Sequence, residues 1–336
     1  MNVIIPMAGM GKRLRPHTLT TPKPLLHIAG KPIVQRLVED IVALSDQKIE
    51  RIAYVTGQFG EEAESLLLHV AETLGARGSI HYQDEPLGTA HAILCASDAL
   101  LGPVTVAFAD TLFQADFKVD PSADGVLWVQ QIDDPSQFGV VVVNESGIIT
   151  DFVEKPAQYI SDLAMIGIYY FRDGSRLNRE LQFLIDNNIQ NGGEYQLPDA
   201  LRKMVNSGCR FAPGKVSDWM DCGNKDAMVE TNTKVLRFRS EENQIPSTAT
   251  IVRSKISPLS RIGNHCTITD SHIGDGVSIG DRCSIQGSDI TNCLVGEQTQ
   301  ISQSKISNAM IGRFAVVEGL TGEVSLGDYS TIRCLN

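Results

Sequence analysis

Lys12, Arg13, Arg15 and Lys23 place four cations within twelve positions of a chain whose net charge is −11. Gly9 and Gly11 stand just before them, and all follow the apolar run Val3-Ile4-Ile5, which reads as a short buried strand. Glycine lets the backbone turn tightly and bring bare amides against a ligand. Bare amides beside a group of cations suit the oxygens of a polyphosphate. A solvated surface turn would need neither the paired glycines nor Pro16, Pro22 and Pro24.

A second candidate is Asp110, which closes the apolar run Val104-Thr105-Val106-Ala107-Phe108. A carboxylate at the carboxyl end of a central strand lies where open α/β sheets bind their ligands. The surrounding sequence supplies such a sheet. Val34, Leu37, Val38, Ile41 and Val42 recur with a helical period. A strand over Ile52–Val55 and an amphipathic helix over Glu61–Leu74 follow, with further strands at Val126–Val129 and Gly139–Val143. This alternation predicts an α/β domain with a mostly parallel, Rossmann-like sheet over residues 1–240.

After about residue 245 the pattern changes. Aliphatic residues recur at intervals of five or six, through Ile251, Ile256, Ile262, Ile268, Ile273, Ile279, Ile285, Ile290, Val295, Ile301, Ile306, Ile311 and Val317. That period fits neither a helix nor a flat strand. It fits a hexapeptide-repeat parallel β-helix with three faces per coil, here over residues 246–336. About four coils are expected, continuing loosely to Leu326 and Ile332. Gly263, Gly274, Gly280, Gly296 and Gly312 each follow an aliphatic residue, where the coil must turn. Cys266 and Cys283 repeat in step with the coil and are expected to stack inside it, not to bind metal. His265 and His272 show no partner in sequence, which favours a structural or oligomer-forming tail over an acyl-transfer site.

Composition bounds the remainder. A chain of 336 residues suggests two domains. With 42% hydrophobic and 21% charged residues it has a globular balance. No run approaches the roughly 20 apolar residues of a membrane span, and the N-terminus lacks the regions of a signal peptide. Seven scattered cysteines argue against a disulfide framework, so a cytoplasmic location is expected. The acidic balance, without a basic stripe beyond the first segment, disfavours nucleic acid.

The ordered series of motifs resembles the sugar-1-phosphate nucleotidylyltransferases. Ala8-Gly9-Met10-Gly11-Lys12-Arg13-Leu14-Arg15-Pro16 is similar to their signature loop, with Met10 and Lys12 as departures. Pro22-Lys23-Pro24, Gly30-Lys31-Pro32, Gln83, Gly88-Thr89-Ala90, Asp110, Phe138-Gly139-Val140-Val141 and Phe152-Val153-Glu154-Lys155-Pro156 follow in order. Gly193-Glu194-Tyr195-Gln196-Leu197 and Trp219-Met220-Asp221-Cys222-Gly223 complete it. Ala109-Asp110-Thr111 departs from the usual glycine-aspartate-asparagine. The resemblance covers residues 1 to about 240, and a left-handed hexapeptide β-helix is a common appendage. It implies transfer of a nucleotidyl group from a nucleoside triphosphate to a sugar-1-phosphate, with release of pyrophosphate. Arg13 and Lys23 would hold the triphosphate and its developing charge, with the amides of Gly9 and Gly11 on the phosphates. Gly139, Glu154 and Lys155 would bind the sugar phosphate, and Asp110 and Asp221 would hold Mg²⁺.

Members that use uridine or thymidine triphosphate often share the spacing of Gln83 to Gly88. A carboxamide can donate to O4 and accept from N3–H of a pyrimidine. dTTP or UTP is therefore favoured, and for the sugar the resemblance alone implies glucose-1-phosphate. Guanosine triphosphate with mannose-1-phosphate, or a catalytically silent regulatory relative, are the alternatives. A dinucleotide-binding oxidoreductase is disfavoured because Arg13, Arg15 and Pro16 fill the place where its helix should open.

Overall fold

Val3, Ile4 and Ile5 are fully or almost fully buried in strand β1 (Asn2–Pro6). The structure is a computed structural model, and it describes residues 1–115, 122–156 and 158–334. β1 pairs in parallel with β2 (Arg51–Thr56), which pairs with β3 (Arg77–Tyr82), and on its other side with β4 (Val104–Ala107). α1 (Ile33–Leu44) and α2 (Glu61–Thr73) stand between these strands in the chain, as their periodicity predicts.

Five further strands widen the sheet: β5 (Gly125–Gln131), β6 (Gly139–Val143), β7 (Ile149–Glu154), β8 (Leu163–Phe171) and β9 (Phe211–Lys215). The order of the nine strands is β3-β2-β1-β4-β8-β5-β9-β7-β6. The sheet is mixed, not mostly parallel. β8 runs antiparallel to both β4 and β5, and β6 and β7 form a hairpin whose connection is too short for a parallel crossover. Helices α3 (Thr89–Leu94), α4 (Gly174–Asp186) and α5 (Leu197–Asn206) cover the same core. Leu177, Leu181, Leu184, Leu197, Leu201 and Met204 meet Phe152, Phe171 and Phe211 there. Asp173 caps α4 by accepting from the backbone N–H groups of Ser175 and Arg176.

The chain forms two compact units, one of Met1–Gly9 with Gln35–Trp219 and one of Met10–Val34 with Met220–Asn336. This division differs from a break near residue 240. The cation-rich segment after β1 leaves the sheet and packs with α6 (Lys225–Phe238) and the repeats that follow.

Those repeats form a parallel β-helix. Ile251, Ile268, Ile285, Ile301, Val317 and Ile332 stand in register on one face. Ile256, Ile273, Ile290 and Ile306 line the second, and Ile262, Ile279, Val295, Ile311 and Leu326 the third. The ladder is thus regular through Leu326 and Ile332. The glycines serve a different purpose from the one their spacing suggests. A Cβ on Gly263, Gly280 or Gly296 would come within 2.6 Å of the next coil's backbone, so these positions need bareness for close stacking. Left-handed turns fall on other residues, among them His265, Arg282, Gln298, Phe314 and Tyr329. Cys266 and Cys283 are buried, and each thiol lies 3.1 Å from a carbonyl of the next coil, that of Gly280 or Gly296. His272 does have a partner: its Nδ1 lies 3.0 Å from Asp289 Oδ1 on an exposed face.

Candidate nucleotide and sugar-phosphate site

In the sheet unit, the expected residues follow the carboxyl ends of parallel strands. Gly9 comes shortly after β1, Gln83 directly after β3 and Asp110 three residues after β4. Among the described residues nothing lies within 4 Å of where a Gly9 Cβ would stand, so no protein neighbour demands glycine there.

Gln83 is tied back by its backbone N–H, which donates to the Thr56 carbonyl at 2.9 Å. Its side-chain Nε2 donates to the Gly88 carbonyl at 3.1 Å and lies 3.2 Å from His91 Nδ1. The donor half of the carboxamide is therefore occupied within the protein. His91, on α3, escaped the sequence reading, although it lies only three residues after Gly88. Gly88 has φ +109°, and a Cβ there would sit 2.4 Å from the Tyr195 carbonyl oxygen. The reason is a tight seam, in which Tyr195 N–H donates to Leu87 O and Ala90 N–H donates to Tyr195 O. Thr89 Oγ1 extends the seam, accepting from Leu197 N–H and donating to Gln196 Oε1. The Gly88-Thr89-Ala90 and Glu194-Tyr195-Gln196-Leu197 motifs are one interlocked structure.

Asp110 and Glu154 both act on Tyr169. Burial pushes the Tyr169 phenol up strongly, and the carboxylates of Glu154 and Asp110 add in the same direction. Tyr169 read in sequence as packing, and it packs edge-on against Phe108. Gly167, at φ +85°, sits where the β5–β8 register shifts and accepts from Phe108 N–H at 2.9 Å. Gly139 pairs with Glu154 across the β6–β7 hairpin. A Cβ on Gly139 would lie 2.7 Å from Glu154 Oε2 and 2.6 Å from Met165 Cε, so the bare Cα gives the carboxylate its place. Lys155 is exposed, has φ +43° and is held by its N–H to the Phe138 carbonyl. Phe138 in turn packs against Trp219, ring centroids 4.8 Å apart.

In the second unit, Gly11 has φ +57° and ψ +38° and opens a short 3₁₀ turn over Lys12–Leu14. Its carbonyl accepts from Leu14 N–H and from Thr18 Oγ1. A Cβ on Gly11 would lie 2.9 Å from Lys23 Cβ, so this glycine is fixed by its angle and by close approach to the lysine. Lys23 is buried, whereas Arg13 is exposed. Asp221 and Arg13 converge on Gly223. A Cβ on Gly223 would stand 3.0 and 3.1 Å from the Asp221 carboxylate oxygens and 3.2 Å from Arg13 Nη2.

Mg²⁺ prefers one or two carboxylates completed by phosphate oxygens and water. Among the described residues no group of three or more His, Cys, Asp or Glu could hold a metal ion by itself. The Asp221 carboxylate over a bare Cα, beside one guanidinium, suits a metal that arrives with phosphates.

A nucleotidyl transferase family profile matches residues 2–237. The chain belongs to the nucleotidyl transferase family. It is 34% identical over 177 residues to a mannose-1-phosphate guanylyltransferase catalytic subunit beta of Drosophila melanogaster, covering 50% of this chain and 47% of that protein. It is also 28% identical over 241 residues to a bifunctional protein GlmU of Methanococcus maripaludis, covering 70% of this chain and 54% of the relative. The chain thus spans about half the length of these relatives. A crystal structure of UDP-glucose pyrophosphorylase complexed with UDP-glucose aligns with a TM-score of 0.57 at 25% identity, covering 71% of this chain and 99% of that one. Among the described residues, this family member has no helix long and apolar enough to cross a membrane.

Proposed function

We propose that the protein joins a nucleoside triphosphate to a sugar-1-phosphate, forming a nucleoside diphosphate sugar and pyrophosphate. A sugar-phosphate oxygen attacks the α-phosphorus, and the bond from that phosphorus to the bridging oxygen breaks as pyrophosphate leaves. Such a reaction asks the protein for positioning and charge neutralisation. Arg13 and Lys23 are assigned to the triphosphate, with the amides of Gly9 and Gly11. Lys155 is assigned to the sugar phosphate, and Glu154 to sugar hydroxyls. Asp110 and Asp221 are the proposed Mg²⁺ ligands, and bound Mg²⁺ would neutralise phosphate charge.

The observation that carries this reading is the Glu154 carboxylate lying over the bare Cα of Gly139. An exposed, acceptor-only side chain suits a polyol better than a second phosphate. For the base we favour a pyrimidine, dTTP or UTP, with glucose-1-phosphate. Support comes from the Gln83-to-Gly88 spacing; Gln83 Nε2 is engaged with Gly88 and His91, so the expected donation to O4 is not available and Oε1 is the atom left to accept from a base N–H. The solved structure with UDP-glucose agrees in kind. The Drosophila relative favours a second reading, guanosine triphosphate with mannose-1-phosphate. Pyrophosphate release measured for four triphosphates against both sugar phosphates separates the two. Preference for dTTP or UTP supports the first, preference for GTP the second, and silence in every pairing rejects both.

A further inference from the structure

The phosphate-loop segment and the β-helix lie in one compact unit, and particular side chains join them. His17 Nε2 lies 3.1 Å from Ser325 Oγ, and Thr20 Oγ1 donates to Asp328 Oδ2 at 2.9 Å. A Cβ on Gly327 would stand 3.0 Å from Pro16 Cβ, so the last coil turns bare to receive the proline ring. Asp328 is itself fixed, because Arg313 donates its backbone N–H to Oδ1 at 2.7 Å and its Nε to Oδ2 at 2.9 Å. The Asp328 side chain is only 6% exposed.

A second attachment lies at the other end of the segment. Ala29 N–H donates at 2.9 Å to Oδ1 of Asn232 on α6, a side chain with no solvent exposure. That same oxygen accepts from Ser278 Oγ at 2.7 Å, and Asn232 Nδ2 donates to the Gly276 carbonyl at 2.9 Å. Arg261 lies flat across Gly30, where a Cβ would meet its Nε at 1.8 Å. Arg13 precedes the first attachment, and Lys23 falls between the two. Buried polar groups satisfied on several sides hold their partners firmly, because leaving one unmatched is costly.

We propose that the β-helix positions the phosphate loop, with Ser325, Asp328 and Asn232 as positioning residues for Arg13 and Lys23. The tail is then part of the nucleotide machinery. The catalytic consequence rests on the reading of Arg13 and Lys23 as phosphate cations; the anchoring itself does not.

The test uses the full chain carrying Thr20→Val, Ser325→Ala or Asp328→Asn, with Arg253→Ala as a control on an exposed pair in the first coils of the same β-helix. Hydrogen exchange without substrate follows the amides of residues 10–20. Loss of one anchoring hydrogen bond should speed their exchange roughly fivefold to tenfold, while β1, β2 and β4 exchange as before. In pyrophosphate release, the KM for the preferred triphosphate should rise by a comparable factor, with the melting temperature nearly unchanged. Wild-type exchange of these amides in both Thr20→Val and Ser325→Ala would overturn the proposal, whether or not Asp328→Asn folds. So would a lowered melting temperature with neither exchange nor KM altered. An inactive wild-type chain would reject the catalytic reading, yet the exchange result would still decide the anchoring.

Discussion

Gly223→Ala is the sharpest probe of the proposed phosphate and metal end of the site. Gly223 is not among the residues with positive φ, so alanine fits its backbone. What changes is one methyl group, placed 3.0 and 3.1 Å from the two Asp221 oxygens and 3.2 Å from Arg13 Nη2. Ordinary contact begins near 3.4 Å, so both groups must withdraw by a few tenths of an ångström. They are ends of side chains, so the cost to stability should lie near the low end for overpacking, about 1 kcal/mol. Catalysis should suffer more, since a misplacement near 1 Å can cost about a hundredfold. We expect kcat/KM to fall about tenfold to a hundredfold, equivalent to roughly 1.4–2.7 kcal/mol. The Mg²⁺ concentration for half-maximal rate should also rise. Initial rates of pyrophosphate release across an Mg²⁺ titration, alongside a melting curve, provide both numbers. Unchanged rate and Mg²⁺ dependence would remove Asp221 and Arg13 from the reacting phosphates. A collapse of the melting temperature would make the contact structural.

Lys23→Ala and Arg13→Ala should each lower kcat at least about a hundredfold, and near-normal turnover at saturating substrate in either would cancel that role. Asp110→Asn should abolish Mg²⁺-dependent turnover with an intact melting curve; an unfolded variant would instead mark a strand-end structural role. Gln83→Ala should erode discrimination among triphosphates more than it slows the best one, and His91→Ala should do the same in weaker form. Unaltered discrimination in both would place base recognition elsewhere. Burial lowers the His17 pKa against an opposing pull from Asp328. A folded pKa below the unfolded value of about 6.5 makes the contribution to stability complete above that pH and lost as pH falls toward the folded value. The wild-type melting temperature should therefore fall more steeply below about pH 6.5 than that of His17→Gln, and equal slopes would acquit His17.

The sequence made the β-helix legible in detail, because one aliphatic residue per face repeats with little variation from Ile251 to Val317. It also located β1, β2 and β4, whose burial on both faces leaves continuous apolar runs. β3 was silent, since Arg77–Tyr82 is a half-exposed edge strand with mixed polarity. The antiparallel course of β8 depends on pairing with distant β4 and β5, which no local pattern records. Positions that need a glycine were the most readable, as at Gly11, Gly88 and Gly139. Tyr169 and His91 were not, because a buried tyrosine and a helical histidine look like packing until their neighbours are known.

The two bonds from His17 to Ser325 and from Thr20 to Asp328 each span 308 positions. A chain made from its N-terminus therefore holds its cation-rich segment without this support until Ser325 and Asp328 have been made. Sheet strands can pair and bury their core well before that moment. The segment gains these bonds only when Ser325 and Asp328 arrive, so a copy stopped before Ser325 would carry every motif of the proposed nucleotide site and lack the seat for one of them.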